Sequence, residues 1–140
     1  MEFKMKEEAG FYADLPFGRL EVAGDEEYGF RPYQLLVASL AVCSGGVLRK
    51  IMKKMRMEFE DIQIKTSVER NPEIADRVEK VQIHFIIKGT DLNEAKLHKA
   101  LELTRKNCSM VRSVEDSIEI EETFELLTRR QGRGCLFPVF

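Results

Sequence analysis

The chain carries almost no net charge. Its 22 Lys and Arg stand against 24 Asp and Glu, a formal charge of -2 over 140 residues. No overall field draws it to polyanions, and nucleic acid is not favoured as a partner. The basic run Arg49, Lys50, Lys53, Lys54 and Arg56 has no interleaved aromatics and reads as the solvated end of a helix. Cysteine is scarce too. Three cysteines, an odd number without a C-x-x-C spacing, do not make a disulfide framework or a zinc knuckle. His84 and His98 have no second ligand at metal spacing, so no metal is expected. Gly45-Gly46 lacks the pattern of a phosphate loop. The longest uncharged run, Pro32 to Leu48, contains Gln34, Ser39, Ser44 and both of those glycines. It falls short of the roughly 18 to 20 apolar residues of a membrane span. The first residues, MEFKMKEEAGF, are acidic and have no apolar signal core. The expectation is a cytoplasmic protein, off the membrane, whose thiols stay reduced and are either packing or chemistry.

What is present fits one domain over 1–128 with a tail of unassigned role over 129–140; 44% hydrophobic residues suffice for a core. Short apolar pieces before Gly29 are separated by Gly10, Pro16-Phe17-Gly18 and Gly24-Asp25 and predict two or three antiparallel strands. Arg31-Pro32 opens the longest helix. Leu36, Leu40, Cys43, Val47, Ile51 and Met55 form its stripe, and Leu35, Val37, Ala38, Ala41 and Val42 cover much of the rest, so its first half should be buried all round. Ile62, Ile64, Thr66 and Val68, then Val81, Ile83, Phe85 and Ile87, keep a two-residue period on either side of Asn71-Pro72. They predict a half-solvated antiparallel pair. A second helix, capped by Asp91 or Asn93, carries Leu97, Leu101, Thr104, Cys108 and Val111 on one stripe. A last strand turns Ile118, Ile120, Phe124 and Leu126 inward and mostly glutamates outward.

The order of these elements, the run P-Y-Q-L-L-V-A-S-L-A-V-C from Pro32 to Cys43, and N-C-S at Asn107 to Ser109 resemble the OsmC/Ohr family of thiol peroxidases. The similarity covers about Gly10 to Leu126. It implies an α+β fold in which two long central helices pack against antiparallel sheets, in an intertwined homodimer with active sites at the subunit interface. It also implies roles: Cys43 as the thiolate that attacks an organic hydroperoxide, Cys108 as the thiol that resolves the sulfenic acid, and an arginine from the N-terminal strands as activator. Arg19 matches that arginine in topology better than Arg31. Two positions depart from the pattern. A glutamate follows the opening proline in peroxidase members, where this chain has Tyr33 and then Gln34, and a proline commonly follows the second cysteine, where this chain has Ser109. Glu26 or Glu27 stands near enough in sequence to replace the lost carboxylate.

Chemistry alone makes a demand of Cys43. A thiolate needs a positive charge or a helix N-terminus beside it, because an apolar wall raises its pKa. The sequence therefore supports two readings. One is a cysteine-based organic hydroperoxide reductase acting in oxidative-stress defence, without metal, flavin or nucleotide, reduced by an external dithiol. The other is a non-catalytic dimer that binds a small hydrophobic ligand in an interface pocket lined by Arg31, Tyr33 and Gln34. Cys135 in the tail reads as incidental.

Overall fold

A computed structural model describes residues 1–129 and 137–139. Cys135 lies outside them. The contacts gather in two compact units, Met1–Ala38 and Ser39–Phe140.

In the first unit β1 (Lys4–Met5), β2 (Phe11–Asp14) and β3 (Arg19–Val22) form an antiparallel sheet in that order, as the turn residues predicted. Leu15 and Gly18 exchange backbone hydrogen bonds of 3.1 Å around Pro16-Phe17. Gly10 has φ +78, and a Cβ there would strike the Val22 carbonyl, so the turn requires a glycine. Lys6 Nζ donates to the Tyr28 carbonyl at 2.6 Å and ties the following loop to the sheet.

The second unit is built on β4 (Asp61–Asn71), β5 (Arg77–Thr90), β6 (Glu119–Arg129) and β7 (Phe137–Val139), paired in that order. Val81, Ile83, Phe85 and Ile87 of β5 have no solvent exposure. Each contributes about 1.5–3 kcal/mol by leaving water. The expectation of wholly antiparallel sheets fails at one pairing: β5 and β6 run parallel, Lys80 facing Glu119 through to Thr90 facing Arg129. The reason is the helical crossover between them, which returns the chain to the sheet in its original direction. The tail contributes β7, antiparallel to β6 at Leu126 to Thr128.

Helix α1 (Pro32–Lys54) opens at the predicted proline, and the Gln34 side chain accepts from the Arg31 N–H at 3.1 Å. Its buried line is Leu40, Ser44, Leu48 and Met52, all at zero exposure, while Cys43 is only half-buried. Burial on every side does not hold. Ala38, Val42 and Gly46 are exposed, Val42 to 69%. With apolar residues on nearly every face, the sequence could not phase the helix; the sheet covers one face and decides it. The run is also longer than its uncharged part suggested. At 23 residues, with a mean hydropathy of 1.6 in its best 18-residue stretch, α1 passes a length-and-composition test for a membrane span. Core helices pass the same test, and the four fully buried positions are those of a core helix.

The predicted second helix is two. Asn93 is the cap, accepting from the Lys96 N–H at 2.9 Å, and α2 runs Glu94–Asn107. Cys108 then adopts an extended conformation (φ -82, ψ 107) and α3 runs Ser109–Val114. The predicted stripe is buried across the break: Leu97, Thr104, Cys108 and Val111 at zero, Leu101 at 9%.

Candidate functional site

The break after α2 turns Cys108 from a helical stripe residue into a hinge between two helices. Asn107 Nδ2 donates to the Leu103 carbonyl at 2.7 Å and the Cys108 N–H to the Thr104 carbonyl at 2.8 Å, closing α2. The chain restarts at Ser109, where the first N–H groups of α3 have no carbonyl of their own helix to bond. They meet Cys43 of α1 instead. Four groups there favour the Cys43 thiolate, the backbone N–H of Met110 first, then the thiol of Cys108, the hydroxyl of Ser109 and the N–H of Ser109. The Ser109 Oγ lies 3.8 Å from Cys43 Sγ.

These donors outweigh partial burial and lower the Cys43 pKa, the Met110 N–H contributing most. Cys108 moves the other way. Its burial raises the pKa, the Val111 N–H opposes this, and the hydrogen bond and charge of Cys43 add to the rise. The two shifts together favour a Cys43 thiolate beside a protonated Cys108. The sequence asked for a positive charge or a helix N-terminus beside Cys43; the second unit supplies donors from the start of α3.

One buried polar residue beside α1 went unforeseen. Glu122 belongs to the inward phase of β6, not among its outward glutamates, and its side chain is 5% exposed. The fully buried Ser44, next to Cys43 on α1, donates to Glu122 Oε1 in a short hydrogen bond. Arg105 Nη1 approaches Glu122 Oε2 at 3.8 Å and donates to the Ile120 carbonyl at 2.8 Å. Arg105 also faces Glu115 at 3.9 Å, which binds Arg112 at 2.6 Å. A buried carboxylate persists only with such partners. The sequence signal was present in the alternation itself: Ile118, Ile120, Phe124 and Leu126 put position 122 on their own face.

The other predicted site residues lie in the first unit. Arg19 is clasped by Asp14 through Nε at 2.8 Å and Nη2 at 3.3 Å, and its guanidinium stacks 4.3 Å from the centre of the Tyr12 ring. This bond to Asp14 raises the Arg19 pKa and lowers that of Asp14. The carboxylate that holds Arg19 is thus Asp14, rather than Glu26 or Glu27. Arg31 lies 4.9 Å over the Tyr33 ring, with Gln34 engaged at the Arg31 backbone.

A cavity of about 450 Å³ opens between α2 and β6, lined by His98, Leu101, Arg105, Glu122 and Phe124 among others. His98 meets Phe124 edge to face at 4.8 Å, and His84 Nδ1 pairs with Thr123 Oγ1 at 2.7 Å. Among the described residues no three His, Cys, Asp or Glu side chains gather as metal ligands.

Comparison with known proteins gives one family and one fold. The pattern of the OsmC-like protein family matches residues 24–123. Protein YhfA of Escherichia coli K12 is 27% identical over 97 residues, 69% of this chain and 72% of that protein. The crystal structure of a hypothetical protein from Aquifex aeolicus superposes with a TM-score of 0.81 at 26% identity, covering 91% of this chain and 95% of the other. That of an organic hydroperoxide resistance protein OsmC from Legionella pneumophila gives 0.69 at 17% identity, covering 88% and 94%.

Proposed function

The chain belongs to the OsmC-like protein family, and from that premise we propose that it reduces organic hydroperoxides with Cys43 as nucleophile and Cys108 as resolving thiol. The observation that carries the reading is the meeting of Cys43 with the segment that carries Cys108, Ser109 Oγ lying 3.8 Å from Cys43 Sγ, together with thiol pKa values that move apart. The family supplies the coarser theme of peroxide-related redox chemistry.

The Cys43 thiolate attacks the terminal oxygen of R–O–OH. An S–O bond forms, the O–O bond breaks, and the alkoxide leaves and takes a proton from water. Cys43 is then a sulfenic acid, oxidised by two electrons, and the peroxide has become an alcohol. Cys108 attacks the sulfenic sulfur, the S–S bond forms, and the hydroxyl departs as water with the Cys108 proton. An external dithiol returns the pair to thiols. Neither metal nor organic cofactor enters any step.

The reading takes 1–128 as one domain working in the cytoplasm as a homodimer. The exposed Ala38, Val42 and Gly46 in the mostly apolar first half of α1 support the dimer, since a second copy can cover a face that one sheet leaves in water. The reading keeps Arg19, which Asp14 holds, as the candidate activator and Arg31, Tyr33 and Gln34 as the candidate ligand-pocket residues, all four of them in the first unit. The test is a stoichiometric alkyl hydroperoxide added to the reduced protein, followed by peptide mass spectrometry. A Cys43–Cys108 disulfide formed within seconds is the expected result. Thiols left unchanged overturn the reading in favour of a non-catalytic dimer that binds a small hydrophobic ligand.

A further inference from the structure

We propose that Ser109 is a catalytic residue: its hydroxyl donates to the Cys43 sulfur and holds it in the charged, reactive form. The inference rests on the reading of Cys43 as the nucleophile and names a group for it that the sequence did not.

Ser109 Oγ lies 3.8 Å from Cys43 Sγ, within reach for a large sulfur acceptor. With Cys43 protonated, either atom could donate, and the bond is weak in both senses. Once the proton leaves Cys43 only one direction remains. The hydroxyl must donate, and its acceptor is now an anion, so the bond gains strength with ionisation. That difference between the two protonation states is what favours the thiolate.

Two features keep the donor in place. Ser113 Oγ bonds the Ser109 carbonyl at 2.7 Å and fixes the backbone that carries the hydroxyl. Ser109 also follows Cys108 directly, so one dipeptide presents both the resolving thiol and the donor. Ser109 is exposed, which leaves room beside the sulfur for water or a hydroperoxide.

The test follows alkylation of the Cys43 peptide by iodoacetamide against pH in the full-length protein, which requires no peroxide. Ser109→Ala should move the midpoint to higher pH and slow the reaction at pH 7 about three- to tenfold, since each pKa unit is a factor of ten in thiolate. Above the midpoint the plateau rate should match or exceed that of the wild type, since a thiolate of higher pKa is the stronger nucleophile. Ser109→Thr, which keeps a hydroxyl, should hold the wild-type midpoint, and Ser109→Gly serves as a second deletion should the Ala variant misfold. A deletion variant with an unmoved midpoint overturns the proposal, as does a Thr variant shifted as far as Ala. A failed peroxidase reading shows differently, as wild-type Cys43 that alkylates but ignores hydroperoxide.

Discussion

Cys43 and Cys108 are chemically the same residue on facing segments, and their surroundings drive them in opposite directions. Cys43, half-buried on the shoulder of α1, meets the N–H groups of Ser109 and Met110 and the hydroxyl of Ser109. Cys108, at zero exposure between α2 and α3, pays desolvation and faces the charge that Cys43 develops. The difference teaches that a thiol's chemistry is set by the donors within a few ångströms and by access to water, and that the same hinge produces both environments. A straight second helix would have offered Cys43 no fresh N–H groups at this point.

The largest effect expected from breaking this pair falls on activity. Cys43→Ser should abolish hydroperoxide consumption. Cys108→Ser should leave the first oxidation intact but carry Cys43 on to sulfinic acid, read as a gain of two oxygens on its peptide by mass spectrometry. Equal loss in both variants, with no oxygen gained, would erase the distinction between the two roles.

Next in size is a change in the wall beside Cys43. Glu122→Ala strands the buried Ser44 hydroxyl and removes the acceptor facing Arg105. It should cost roughly 1–3 kcal/mol in urea unfolding, the penalty of an unmet buried polar group. Glu122→Gln keeps an acceptor for Ser44 and should recover much of that loss. Equal cost for Ala and Gln would show that Ser44 gains nothing from the bond.

The smallest effect is on stability against pH. Cys43 has a folded pKa below its unfolded value near 8.5, so its contribution is present above that value and lost as pH falls through the folded pKa. Cys108 is raised, so its contribution is present below about 8.5 and lost as pH climbs through the folded pKa. Stability of the reduced protein should therefore rise modestly towards pH 8 and decline in alkali. Cys108→Ala should remove the alkaline decline, and chemical denaturation across pH 6–10 checks both limbs. An alkaline decline unchanged in that variant would assign it to other groups.

Much of this was legible in the sequence. The two-residue period of Val81 to Ile87 could belong only to a strand with one buried face, and all four side chains are buried. The glycine and proline turns marked the first sheet, and Arg31-Pro32 marked the start of α1 to the residue. The family was legible too, from the run Pro32 to Cys43 and the N-C-S at Asn107. Three features were not. The buried face of α1 was unreadable because nearly every face is apolar. The break at Cys108 has no glycine or proline to announce it, and it is fixed by the Asn107 and Thr104 bonds. Glu122 was not singled out because its residue type suggested solvent while its position in the alternation lay inside.

By itself the sequence determined the elements, their order and the two thiols, because periodicity and turn chemistry are local properties of neighbouring residues. Only the tertiary structure decided which sulfur would ionise and what would stabilise it. A pKa depends on groups that meet through space, and Met110, Ser109 and Cys43 meet only once α3 has turned back onto α1.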